Sequence, residues 1–173
     1  MINSTEMEIN VLVDEEFKEC IDTSWLQGIT ERALATQNIS SAAEVGLVIT
    51  SQERIRQLNL DYLGKDRPTD VIAFSMLPEQ SNEQTPEADF PPFILPPDGV
   101  LHLGEVIISY PQAVIQAEEH QHSVKRELAI LIIHGILHLL GYEDKKPGLK
   151  RTMIAKETDI MSYIEKETTI SLS

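Results

Sequence analysis

The sequence predicts an α+β fold, a single domain in which a mixed four-stranded sheet has about five helices packed on it. The length of 173 residues suits one domain with a sizeable buried core. Stretches with an apolar residue at every second position are interleaved with stretches of helical spacing. The longest apolar run, residues 128–140, is too short to cross a bilayer and is typical of a buried core helix. No internal repeat divides the chain, so the predicted domain spans 1–173.

The first half of the chain is predicted to alternate strands with helices. Apolar residues recur at period two in the strands and at helical spacing in the helices. A capping-box pattern, Thr50-Ser-Gln-Glu53, marks the start of the second helix. The predicted elements are a strand at 7–13, a helix at 24–38, a strand at 45–49 and a helix from the capping box to Leu63.

Segment 78–99 interrupts this pattern. It holds six of the nine prolines and five acidic residues, with no Lys or Arg. Such a composition does not form a regular element, so we expect a long, mobile loop. The loop is either an inert insertion or a flap over the substrate site. Surface loops tolerate insertion well, which favours the first interpretation.

The second half of the chain is predicted to be mainly helical. Pro111 suits the first turn of a helix, because its missing N–H needs no partner there. Gly141 follows the most apolar helix and predicts a left-handed residue that ends it. The predicted elements are strands at 70–76 and 101–109 and helices at 111–119, 123–140 and about 149–164.

The chain is acidic, with 14 Lys and Arg residues against 28 Asp and Glu residues and a formal net charge of −14. This balance argues against a general nucleic-acid binder and against attachment to an anionic membrane, because both bind mainly through Lys and Arg. The single cysteine, Cys20, cannot form an internal disulfide, and the N-terminus shows no secretion signal. We therefore expect a cytoplasmic protein with no membrane or DNA partner.

The stretch HGILHLLGYED, residues 134–144, carries the strongest chemical signal. His134 and His138 lie four residues apart, so a helix projects both from one face, one turn apart. Two imidazoles placed in this way can share one tetrahedral metal ion, so we expect one metal ion per chain, zinc or another divalent transition metal such as nickel or copper. A third ligand must come from elsewhere. The glycine that ends the helix lets the chain reverse and bring Glu143 or Asp144 towards the imidazoles.

Two alternative roles for the histidine stretch are less favourable. Both histidines could be core residues bonded to backbone carbonyls, but burying two unpaired imidazoles in so apolar a helix would be costly. A zinc protease would have Glu directly after its first histidine as the general base, and that position is Gly135 here. Peptide hydrolysis is therefore disfavoured, and a metal-dependent hydrolase with another substrate stays open.

Three motifs together resemble one known family. HGILHLLGY, LGEVIIS and NLDYLGKDRPTDVIAF look like the YbeY family of single-domain, metal-dependent endoribonucleases. The resemblance extends from the strand at 7–13 to the last helix and excludes the acidic loop. It implies a zinc-bearing fold, hydrolysis of RNA phosphodiesters, and work on 16S rRNA and ribosome quality control. The implied partners are single-stranded regions of rRNA and the ribosome or its small-subunit proteins.

The resemblance also assigns metal ligands. The family's helical histidine pair falls on His134 and His138, and its third ligand, a histidine, falls on Asp144. Aspartate also binds zinc, so the expected ligands are these three residues. An aspartate adds a negative charge that makes the metal a weaker Lewis acid. The other candidates for the third ligand are Glu143, His120 and His122.

A second departure from the family concerns the residue after the tyrosine of its N-x-x-Y-R-x-K-D segment. The family has an arginine there, and this chain has Leu63. Arginine near a scissile phosphate stabilises developing charge, and leucine cannot. Lys65 and Arg67 are the catalytic candidates that could substitute in part. They could equally be solvated cations paired with Asp66 or Asp70.

Charged residues elsewhere have two candidate roles. Glu105, in LGEVIIS, either orients a ligand histidine or faces solvent on one side of the sheet. The cations cluster near the segments expected to form the cleft, and the local field governs docking more than net charge does. These clusters lie at 54–67, 125–126 and 145–151.

The sequence therefore favours a zinc-dependent endoribonuclease, specific for single strands, that acts in 16S rRNA 3′-end maturation and ribosome quality control. The alternative is a catalytically weakened, metal-stabilised binding factor associated with the ribosome. Leu63 and Asp144 motivate that alternative, because both depart from the family pattern.

Overall fold

The computed structural model of the chain describes residues 7–39, 42–77, 99–167 and 171–173. The α+β prediction is confirmed, since these residues form a mixed four-stranded sheet and five α-helices. The strands are β1 (Glu8–Val13), β2 (Ala43–Thr50), β3 (Val71–Ser75) and β4 (Leu101–Ser109). The helices are α1 (Thr23–Thr36), α2 (Gln52–Leu63), α3 (Tyr110–Glu119), α4 (Val124–Leu139) and α5 (Pro147–Lys166).

Sequence patterns located these elements to within a few residues. The capping box predicted Thr50 as the cap of α2, but the cap is Ser51, whose hydroxyl accepts the N–H of Arg54. One short 3-10 turn, Glu15–Phe17, was not predicted. Of the predicted 78–99 loop, only Gly99 lies within the described residues.

The sheet has the order β1-β2-β4-β3, with β1, β2 and β4 parallel and β3 antiparallel to β4 at one edge. A bulge interrupts the pairing of β2 with β4, because Glu44 pairs with His102 while Val45 pairs with Gly104. The glycine is required there. Its φ is +125°, and a Cβ atom would lie 2.0 Å from the carbonyl oxygen of Phe74.

The two faces of the sheet are covered unequally. The main core lies between the sheet and α1, α4 and α5, and α4 is buried along most of its length. On the opposite face, α2 packs through a smaller cluster of Ile55, Ile72 and Ile107. Gly135 lets α4 approach the sheet closely, since a Cβ atom there would lie 2.5 Å from Cγ1 of Val106. This close approach fixes where the C-terminal half of α4, and its histidines, lie.

None of the described helices is long and apolar enough to cross a bilayer.

Candidate metal centre

The C-terminal end of α4 reverses the chain and builds the site. Gly141 has a φ of +101° and donates its N–H to the carbonyl of His138 at 3.1 Å. The N–H of Tyr142 bonds to the carbonyl of Leu137 at 3.0 Å, which completes a Schellman motif. The predicted left-handed glycine is confirmed. The reversal brings Asp144 back over the last turns of the helix.

Three potential ligand atoms converge at this end of the helix. The Nε2 atoms of His134 and His138 lie 3.1 Å apart, and their rings meet edge to face. Oδ2 of Asp144 lies 3.9 Å from the first of these nitrogens and 4.0 Å from the second. Two nitrogen ligands of a tetrahedral zinc ion are about 3.4 Å apart, so the histidine pair needs little movement to bind one. Two imidazole nitrogens and a carboxylate oxygen are ligands that zinc accepts. The carboxylate of Asp144 needs only a small movement towards the nitrogens to bind the same ion.

The sequence patterns did not reveal Glu157, a residue of α5 that orients the site. Its Oε1 accepts the Nδ1 hydrogen of His134 at 2.6 Å. A neutral imidazole that donates from Nδ1 has an unprotonated Nε2, which is the form a metal requires. Its position in α5 could have indicated this role, because Glu157 lies on the same helical face as the buried Met153 and Met161. A carboxylate on the apolar face of a helix indicates a buried partner.

The two histidines have opposite pKa shifts. Burial lowers the pKa of His134, but the hydrogen bond and charge of Glu157, with the charges of Asp144 and Asp70, outweigh it and raise the pKa overall. Burial lowers the pKa of His138, and repulsion from His134 lowers it further. The pKa shifts therefore favour the neutral form of His138, the form that binds metal, and tie the titration of His134 to its bond with Glu157.

The site lies in a cleft of about 520 Å³. Lys65 and Arg67, from the α2–β3 connection, line it together with Leu63, which is half exposed. Asn59 donates to the backbone carbonyl of Arg67 at 2.9 Å and so fixes this connection. Among the described residues, neither cation forms an ion pair, and Asp66 pairs instead with Arg56 at 2.7 Å. The two cations are therefore placed to meet an anion in the cleft.

The structure separates the remaining candidates. Glu143 lines the cleft but is not part of the group of converging ligand atoms, which contains Asp144. His120 and His122, the distant candidates for the third ligand, gather around Glu127 at the other end of α4. Glu105 is exposed and lines a different cleft, which supports its solvent-facing role.

The cationic clusters are also divided. Lys145 lines the cleft with Lys65 and Arg67. Lys125 lies over the ring of Trp25 at 5.8 Å, and Arg126 pairs with Glu165. The 125–126 cluster therefore contributes to packing and surface pairing away from the cleft.

Comparisons with known proteins agree with the motifs. The family model described as Endoribonuclease YbeY matches residues 6–165. Endoribonuclease YbeY of Dehalococcoides mccartyi is 46% identical over 160 residues, covering 92% of this chain and 91% of the relative. Endoribonuclease YbeY of Geobacillus thermodenitrificans is 41% identical over 150 residues, covering 86% of this chain and 89% of the relative.

A solution structure of a Thermotoga maritima protein has the same fold, with a TM-score of 0.54 and 21% identity. It covers 93% of this chain, and the alignment spans 94% of that protein. The family match over most of the chain, and relatives this similar along nearly their full length, decide the assignment: the chain belongs to the YbeY family of endoribonucleases.

Proposed function

We propose that this protein is a zinc-dependent endoribonuclease, specific for single strands, that acts in 16S rRNA 3′-end maturation and ribosome quality control in the cytoplasm. One observation carries the proposal. The nitrogen pair of His134 and His138 faces the carboxylate of Asp144 in a cleft that Lys65 and Arg67 line. The names of its relatives, Endoribonuclease YbeY, give the reaction class. The whole chain, 1–173, is proposed to act as one domain.

In this proposal His134, His138 and Asp144 hold the zinc ion. When bound, the zinc supplies Lewis-acid polarisation of a phosphoryl oxygen or activation of a water molecule. Glu157 keeps the hydrogen of His134 on Nδ1 and so aims the free Nε2 into the cleft. The carboxylate of Asp144 adds negative charge close to the metal, which weakens its Lewis acidity relative to an all-histidine site.

Lys65 and Arg67 position the RNA backbone. Both side chains are exposed, line the cleft and have no ion-pair partner among the described residues, so their charge is available to phosphate. A single strand can present its backbone to such a cleft without being unwound. The net charge of −14 disfavours tight, unselective RNA binding. We propose that contacts with the ribosome or small-subunit proteins supplement the weak binding at the cleft.

The test compares zinc-loaded protein with its His134→Ala variant on matched RNAs. Single-stranded and duplex RNA of the same sequence are incubated with each protein, and products are mapped by gel electrophoresis. We expect cleavage of the single strand by the native protein only. Equal cleavage by both proteins would point to a contaminating nuclease and remove the support for an enzyme.

A second function is favoured by the cleft itself. Leu63, half exposed, lines the cleft at the position of the family's arginine, so part of the expected phosphate contact is missing. A metal-stabilised, ribosome-associated binding factor with little catalysis would tolerate this change. The double variant Leu63→Arg, Asp144→His separates the two functions. A large gain in cleavage supports the binding factor, whereas native cleavage at ordinary enzymatic rates excludes it.

A further inference from the structure

A second group of metal-ligating side chains lies at the N-terminal end of α4. Nδ1 of His120 lies 2.9 Å from Oε1 of Glu127, and Nε2 of His122 lies 2.7 Å from the same oxygen. The three ligand atoms all lie within 4.8 Å of one another. Two imidazole nitrogens and one carboxylate oxygen are a donor set that divalent transition metals accept.

The backbone brings the two histidines to the same side of one turn. Between them, Gln121 adopts the left-handed conformation with a φ of +57°. Its N–H bonds to the carbonyl of Glu118, and the N–H of His122 bonds to the carbonyl of Ala117, which forms a Schellman motif after α3. These backbone bonds place both imidazoles before any metal arrives, so a metal ion meets a largely preformed pair.

The carboxylate is oriented in the same way. Glu127 is almost fully buried, with 2% of its side chain exposed, and its Oε2 accepts the side-chain amide of Gln116 at 3.1 Å. The amide leaves Oε1 directed at the two histidines, as the outer hydrogen-bond partners of metal ligands often do. His120 lies on the outer side and is about half exposed, so an ion and its completing water can enter from solvent.

From this geometry we propose that His120, His122 and Glu127 form a second metal site, which binds a divalent transition metal such as zinc. The bound ion ties the α3–α4 turn to the first turn of α4. The buried carboxylate needs a positive partner, and a divalent cation supplies that charge without requiring the histidines to be protonated.

This site is structural and separate from the candidate centre at His134. Glu127 and His134 are seven residues apart on α4, which is about 10 Å along the helix. Two-metal catalytic sites hold their ions about 3.5–4 Å apart, so the two ions cannot act on one phosphate. The bound ion is therefore expected to change stability while leaving RNA chemistry to the other end of the helix.

Metal stoichiometry tests the proposal in the full-length protein. The protein is stripped with chelator, reloaded with zinc chloride, freed of excess metal and measured by elemental analysis. We expect two zinc ions per chain in the native protein and one in the His120→Ala, His122→Ala variant. The His134→Ala, His138→Ala variant is expected to retain one ion and a zinc-dependent rise in Tm, and a variant without all four histidines is expected to lose both.

Two further variants test whether a loss of metal comes from this site or from the loss of any histidine or of the fold. His102→Ala removes a β4 histidine that pairs with Glu44 and belongs to neither group of converging ligand atoms, and it is expected to keep two ions. Glu127→Gln keeps the side-chain shape and should lose one ion with unchanged circular dichroism. If the alanine variants fail to fold, cobalt absorption spectra of this glutamine variant answer the same question.

The outcomes are distinguishable. If the protein without His120 and His122 binds as many ions as the native protein, the second site is overturned, and the group is a hydrogen-bonded cluster. A native protein with two ions and no RNA cleavage would reject the proposed function and keep this site.

Discussion

Each end of α4 has two histidines next to carboxylate groups, yet the two ends differ in how the carboxylates are used. At the C-terminal end, Glu157 holds the outer nitrogen of His134, and a separate carboxylate, Asp144, faces the inner nitrogens. At the N-terminal end, one oxygen of Glu127 contacts both histidines. At the C-terminal end one carboxylate orients His134 and a different one faces the two Nε2 atoms. These nitrogens are therefore directed towards the cleft.

The surroundings differ as well. The C-terminal group lies in the cleft that Lys65 and Arg67 line, and His120 and His122 are not among the residues lining it. The two groups have the same kinds of ligand atoms, but we expect them to have different roles. The ligand atoms alone determine only that a metal ion can bind. Whether a bound ion can act on RNA depends on whether the site lies in a cleft next to cationic side chains.

The two histidine pairs give the strongest test of this difference. His134→Ala should lower RNA cleavage by more than about 100-fold, since loss of an orienting partner alone can cost that much. His122→Ala should leave cleavage within a few-fold of native. Initial rates on a single-stranded RNA at saturating zinc provide the measurement. Comparable losses in both variants would contradict a difference in role between the two ends.

Glu157 provides the next test. Glu157→Ala should weaken zinc binding at the C-terminal site by about 10- to 100-fold, because His134 loses the carboxylate that fixes its tautomer and orientation. Competition with a chromophoric chelator measures the affinity. The control is Asp159→Asn, which removes an exposed acid from the same helix. An equal effect in the control would show that only net charge matters.

The two left-handed turns should respond in opposite directions. Gly141→Ala places a Cβ at a φ of +101° and should destabilise the protein by about 1–2 kcal/mol. Gln121→Gly relieves a left-handed non-glycine residue and should stabilise the metal-free protein by up to about 1 kcal/mol. Urea unfolding measures both changes.

A glycine in an ordinary helical position serves as the control for these turns. Gly148 lies in the first turn of α5 with open space around it, so Gly148→Ala should be neutral or stabilising. Destabilisation by this substitution too would indicate that the backbone conformation at Gly141 is not the cause.

The cleft cations are expected to give the weakest response. Lys65→Ala and Arg67→Ala should weaken RNA binding several-fold, and each should lower the salt dependence of the logarithm of the binding constant by about 0.7. Lys18→Ala removes the same charge from a surface pair with Glu15 and should change neither quantity. Fluorescence anisotropy across a salt series measures the slopes. Unchanged slopes would mean that Lys65 and Arg67 do not contact phosphate.

Features that depend on local geometry could be predicted from the order of the amino acids. Residues four apart on a helix share a face, so their spacing alone pairs His134 with His138. Gly141 marked the end of α4, because a left-handed residue there favours glycine. Period-two and helical spacing located the strands and helices. The motifs also indicated the family, which the comparisons confirm.

Contacts between distant residues could not be predicted in this way. Glu157 reaches His134 because α5 packs against α4, and the residues next to Glu157 in the sequence do not indicate that partner. His120 and His122 were candidates for the same site, but the turn after α3 directs them to Glu127 instead. Local spacing is set by backbone geometry within a few residues. Contacts between elements depend on how whole helices pack on the sheet, and a single sequence does not display that packing.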